Sequence, residues 1–162
     1  MKSRFRFLIL PAILTALTFV SSAQPGNADI IKNSIKINTD GLTVTKAKLR
    51  DEDGIELKQN QTTLNKPIYL RLEVTGWLTN NGKVKLGASE KIATNKGTLI
   101  LYVDDFFPGK EEYKPEDAKY ISLKAVITST QRDIKFFNVK FRVWDKNNGN
   151  SITGSYMFTI KN

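Results

Sequence analysis

The sequence predicts an all-β protein, an immunoglobulin-like antiparallel β-sandwich of about seven to nine strands, with a β-barrel as the alternative closure of the same strands. Three observations predict it. Beyond residue 30, apolar side chains recur at every second position in one segment after another, and helical spacing is rare. Asn, Asp, Gly and Pro break the chain between those segments, as turns require. Cysteine is absent, so the fold must be held by burial without disulfide staples.

The N-terminus precedes this pattern. Lys2, Arg4 and Arg6 lead into a run from Phe7 to Val20 that is apolar except for Pro11, Thr15 and Thr18, and Ser21-Ser22-Ala23 follows. This reads as a secretory signal peptide over residues 1–23, cleaved before Gln24, with a second possible site after Ala28. A bilayer span takes about 20 apolar residues, which no segment supplies, so the mature chain is expected to carry no transmembrane anchor. The expected location is the periplasm, the outer surface or the medium. Residues 24–29 read as a polar leader and residues 30–162 as one β-sandwich domain.

Ile30 to Ile37 and Leu42 to Leu49 read as strands around an Asp40-Gly41 turn. Asp51-Glu52-Asp53-Gly54 is a turn. Pro67 opens a strand with Ile68, Leu70, Leu72 and Val74 on one face and Tyr69, Arg71, Glu73 and Thr75 on the other, with Trp77 at its end. After the Asn80-Asn81-Gly82 turn, Val84 and Leu86 suggest a short strand. Thr98 to Val103 is a continuous apolar run, expected to be a central strand buried on both faces. A loop over 104–117 follows. Its Pro115-Glu116-Asp117 places proline and acids where a helical first turn wants them. Ile121, Leu123, Ala125 and Ile127 alternate, as do Phe137, Val139, Phe141 and Val143. The polar turn Asp145 to Asn150 joins that last strand to Ile152–Ile160 as a hairpin.

Composition excludes several chemistries. With no histidine and no cysteine, Ser-His-Asp and Cys-His nucleophiles and most zinc and iron sites are closed. Removing the three basic residues of the leader from a net charge of +9 leaves +6, carried mostly by lysine. Only Arg50, Arg71, Arg132 and Arg142 could supply the guanidinium forks that nucleic-acid readers favour, so no nucleic-acid partner is expected.

Several segments taken together carry a resemblance: Leu49-Arg-Asp-Glu-Asp-Gly54, Thr75-Gly-Trp77, Asn81-Gly-Lys-Val-Lys-Leu-Gly87, Leu101-Tyr-Val-Asp-Asp-Phe-Phe107, Pro115-Glu-Asp-Ala118 and Val143-Trp-Asp145. The set resembles small exported Bacteroidetes-type proteins built from immunoglobulin-like β-sandwich modules. The resemblance implies a sandwich over residues 40–160 and carries over no functional residue.

Four groups of residues are candidates for chemistry. Tyr69, Arg71, Glu73 and Trp77 point outward from one strand, and Lys140, Arg142 and Trp144 from another. On neighbouring strands they would form one aromatic and charged face suited to stacking on sugar rings or docking a protein. Core-covering rings and lysine stems are the alternative reading. Phe106 and Phe107 form a candidate partner-binding loop tip. Asp51, Asp53, Asp104, Asp105 and Asp145 could hold calcium if they converge, although Asp and Asn in such loops usually serve the turn itself. Glu111-Glu112 and Glu116-Asp117 lie close in sequence as candidate paired carboxylates for glycosidase chemistry, but adjacent residues of an extended chain point apart. The expectation is therefore an exported non-catalytic module, with no cofactor or with calcium, binding a protein or glycan of the cell envelope. The alternatives are a small glycan-active enzyme using paired carboxylates and a calcium-stabilised structural domain.

Overall fold

The computed structural model describes residues 31–109 and 112–161; the segments expected to be a signal peptide and a polar leader, and Glu111, lie outside them. Nine strands and one short helix are described: β1 (Lys36–Asp40), β2 (Thr43–Arg50), β3 (Gln61–Thr62), β4 (Ile68–Thr75), β5 (Leu86–Thr94), β6 (Leu99–Val103), α1 (Pro115–Ala118), β7 (Tyr120–Ala125), β8 (Phe137–Asp145) and β9 (Ser151–Ile160). They make two separate sheets. The large one runs β1-β9-β8-β5-β6, with β3 adding a short parallel pairing on β9, and the small one runs β2-β4-β7. The protein is an all-β antiparallel sandwich, and its two open sheets set the barrel aside.

Alternation explains the layers. Ile68, Leu70, Leu72 and Val74 of β4 face Phe137, Val139, Phe141 and Val143 of β8 across one continuous core that also takes Ile121, Leu123, Ile152, Tyr156 and Phe158. In β2 the buried residues are Leu49, Ala47 and the half-buried Val44, which breaks strict period two. A bulge between Val44 and Lys46 absorbs the extra residue and returns both ends of the strand to the core. In β9, Gly154 lets the Phe141 ring lie against the backbone, because a Cβ there would stand 2.3 Å from the ring and 2.5 Å from the Lys36 carbonyl.

Two expectations fail. Thr98–Val103 is not central: β6 is the edge of the large sheet, with Leu99 53% and Tyr102 59% exposed. An apolar run signals burial only when a neighbour covers each face, and here the edge is open. The centre is taken by β5, whose sequence LGASEKIAT shows no apolar alternation yet is buried at Leu86, Ala88, Glu90, Ile92 and Thr94. Ile30–Ile37 is not one strand either, since Ile31 only bridges Ala47 in parallel before a turn at Asn33-Ser34, both with positive φ. The helix at Pro115 and the β8–β9 hairpin form as the sequence implies.

Candidate functional site

The sandwich separates the two halves of the anticipated aromatic face. Tyr69, Arg71 and Glu73 lie on β4 in the small sheet, whereas Lys140, Arg142 and Trp144 lie on β8 in the large one. Outward side chains of the two sheets point in opposite directions, so these residues form two faces and not one.

On the small sheet, cross-strand register builds the rows Lys46–Glu73–Tyr120, Lys48–Arg71–Ser122 and Arg50–Tyr69–Lys124. Much of this charge is answered locally. Lys46 pairs with Glu73 at 3.2 Å, and Lys48 reaches Glu56 at 3.5 Å. Glu56 also accepts a hydrogen bond from Lys32, and these lysines hold its carboxyl below the usual range. The Arg71 guanidinium stands 6.0 Å from the Tyr69 ring centroid.

The large sheet offers a different surface. Outward rows read Asp40–Ser151–Trp144–Gly87, then Asn38–Thr153–Arg142–Ser89, then Lys36–Ser155–Lys140–Lys91–Tyr102. The Trp144 ring occupies the space over Gly87, where a Cβ would fall 2.2 Å from Cε2. Glycine is therefore what seats the half-buried indole on the sheet. The Arg142 guanidinium lies 5.3 Å from that ring. Around it the side chains are short and polar, and a depression of about 460 Å³ opens between Lys91, Asn138, Lys140 and Ser155.

Trp77 belongs to neither face. It packs against the core edge with its Nε1 buried and unpartnered among the described residues, so it closes the sandwich and is no stacking platform. Phe107 likewise turns inward, edge-on to Tyr113 at 5.8 Å, leaving Phe106 as the exposed member of the loop. The Phe106 N–H donates to the Ala88 carbonyl at 2.7 Å, which binds the loop to the start of β5 and shortens any projecting tip.

The acidic loops are divided between the two ends of the molecule. Asp51 and Asp53 follow β2, beside the start of β4, while Asp104, Asp105 and Asp145 lie where β4 finishes. Asp51 accepts from the N–H groups of Asp53 (3.0 Å) and Ile55 (2.8 Å), which fixes its own turn. Asp145, fully buried, accepts from the N–H groups of Leu78 and Asn147 at 2.7 and 2.8 Å. Asp105 accepts from Ala88 and Phe107 and pairs with Lys146 at 2.7 Å. Burial would raise its carboxyl, but Lys146 and the two N–H groups together hold it below the usual range. Asp104 accepts from the Tyr102 hydroxyl. Among the described residues, no group of three or more Asp or Glu gathers as a metal site would require. Of the paired carboxylates, Glu112 is bound to Lys85 at 3.1 Å, and Glu116 and Asp117 sit in the first turn of α1.

Sequence reasoning missed Lys91, Lys36, Tyr102 and Ser155. Lys91 lies on the unrecognised β5, and its partnership with Lys140 exists only once the strands are in register.

No protein-family model and no curated protein matches the chain. Among solved structures it is similar to the C-terminal domain of Wzt, with a TM-score of 0.50 and 9% identity over 81% of this chain and 80% of that one. This likeness concerns the fold: both are sandwiches.

Proposed function

We propose that this protein is an exported, non-catalytic β-sandwich module that binds a glycan of the cell envelope on the outer face of its large sheet. The observation that carries the reading is the Trp144 indole seated over Gly87, with Arg142 beside it and Ser89, Ser151 and Thr153 around it. A flat ring held against a sheet can stack on the C–H face of a sugar. Arginine and short hydroxyl side chains can then bond its hydroxyls. The absence of histidine and the separation of the acidic loops favour binding over catalysis. The N-terminal leader favours export.

The test is a titration of the purified protein against a panel of envelope and soluble polysaccharides, with Trp144→Ala as the comparison. A bound glycan should lose at least about tenfold in affinity when the ring is removed, as for a central aromatic anchor, while the melting temperature stays within a few degrees. Unchanged affinity in a folded Trp144→Ala variant would remove the site. A protein partner is the second reading, favoured by the open edge of β6, where Leu99, Ile100 and Tyr102 stand exposed. Capture of one stoichiometric envelope protein, lost when Ile100 is replaced by lysine, would select it.

A further inference from the structure

We infer that the glycan is acidic, a carboxylate-bearing polysaccharide that crosses the strands of the large sheet from Trp144 to Tyr102 over a row of lysines. This rests on the reading of that face as a glycan site and names the class of sugar it takes.

Two lysines are paired across strands where the fold does not need them. Lys91 of β5 stands directly opposite Lys140 of β8, and both are exposed. Like charges directly opposite in an antiparallel pair destabilise it. Lys36 enters the same row through Ser155, and Arg142 stands one outward position further along β8. Among the described residues none of these four cations forms an ion pair, whereas Lys32, Lys46, Lys48, Lys66, Lys85, Lys96 and Lys146 all do. Lysines off this face, Lys58, Lys83, Lys124 and Lys135 among them, form none either, so what sets this face apart is that Lys36, Lys91, Lys140 and Arg142 stand together on it.

The floor between the cations narrows the partner. Ser89, Asn138, Thr153 and Ser155 are short hydroxyl and amide groups that can bond sugar hydroxyls, and the ammonium groups rise above them to meet charges spaced along a chain. Lysine is a point charge that meets carboxylate and phosphate alike, so the hydroxyl and amide floor, and not the cations alone, points to a charged sugar chain. Tyr102 closes the far end, its hydroxyl donating to Asp104 at 2.9 Å, which orients the ring. From Trp144 to Tyr102 is four residues along β8 and two strands across, about 17 Å from strand rise and spacing. That span suits a short oligosaccharide segment better than a single sugar.

The experiment titrates the purified protein with polygalacturonate, alginate and hyaluronate, with fully methyl-esterified polygalacturonate (the same backbone without the charge), and with polyphosphate (charge without sugar). An acidic glycan should bind at least about tenfold more tightly than its esterified counterpart, and the preference should shrink as salt is raised. The double variant Lys91→Ala/Lys140→Ala should weaken acidic binding by about tenfold, the upper range for two exposed ion pairs. It should leave esterified binding unchanged and should not lower the melting temperature. Equal binding of acid and ester, or an unaffected lysine double variant, overturns the inference and leaves the glycan reading standing. Failure of every acidic glycan to bind also overturns it. Tight binding of polyphosphate that Trp144→Ala does not weaken overturns both, since the face would then be a plain polycation.

Discussion

Glu90 places a carboxyl group inside the hydrocarbon core. It alternates with Ala88 and Ile92 on the inward face of β5, stands opposite Phe141 and Val103, and has no hydrogen-bond partner on either oxygen among the described residues. Burial pushes its pKa up to about 7. The Tyr156 hydroxyl, also buried and unpartnered, is driven well above its ordinary value by burial and then by the Glu90 charge. The folded state thus keeps the Glu90 proton that the unfolded chain gives up near the ordinary value of 4.5. The stability due to the neutral acid is complete below that value and is lost as pH rises through the folded value. The loss approaches about 3 kcal/mol at 1.4 kcal/mol per unit. Melting curves should therefore fall by something of order 10 °C between pH 5 and pH 8. Glu90→Gln, which cannot ionise, should flatten that fall. An equal slope in the variant would place the titration elsewhere. Nothing in the sequence marks Glu90, because its neighbours Ser89 and Lys91 are polar too and only the pairing of β5 between β8 and β6 turns it inward.

Among the elements, those whose alternation was strong were legible. In β4, β7 and β8 the apolar phase read from the sequence is the phase found buried, because a sheet with one covered face leaves a residue little choice of side. Legibility ended where position in the sheet, and not composition, decides. The leucine-rich β6 is an edge and the polar-looking β5 a centre, since small residues such as Gly87 and Ala88 fill the middle where Trp144 lies across one face and the core presses on the other. The candidate face was half legible for the same reason: Arg142 and Trp144 announce themselves on β8, but their neighbours Lys91 and Tyr102 depend on strand order. The β8–β9 turn shows a second limit. Asp145 reads as an ordinary turn former, yet its carboxylate also accepts from Leu78, so one side chain ties the hairpin to the segment that follows β4. Asp145→Ala would leave two part-buried backbone donors without acceptors, and at the low end of the orphan penalty, about 1 kcal/mol for each, it should cost about 2 kcal/mol in denaturant unfolding. A loss below about 1 kcal/mol would mean that water satisfies both groups.

The whole molecule is assembled from pairings remote in sequence. β1 is seated only on β9, β5 joins β8 across the helix and β7, and β4 lies between β2 and β7. Loop closure must be met before such pairings stabilise anything, so refolding from denaturant should take milliseconds to seconds, as sandwiches of this topology do. Stopped-flow fluorescence of Trp77 and Trp144 would show it, and a microsecond phase carrying most of the amplitude would contradict the topology. Among the described residues no helix is long and apolar enough to cross a membrane. The first strand also has a consequence for biosynthesis. A chain made from its N-terminus produces β1 long before β9, so β1 waits without a berth until the final hairpin exists. A polypeptide halted before Ser151 would keep most of its apolar residues and still have nowhere to lodge its own beginning. Completion of the last ten-residue strand is thus the event that commits the molecule to its shape.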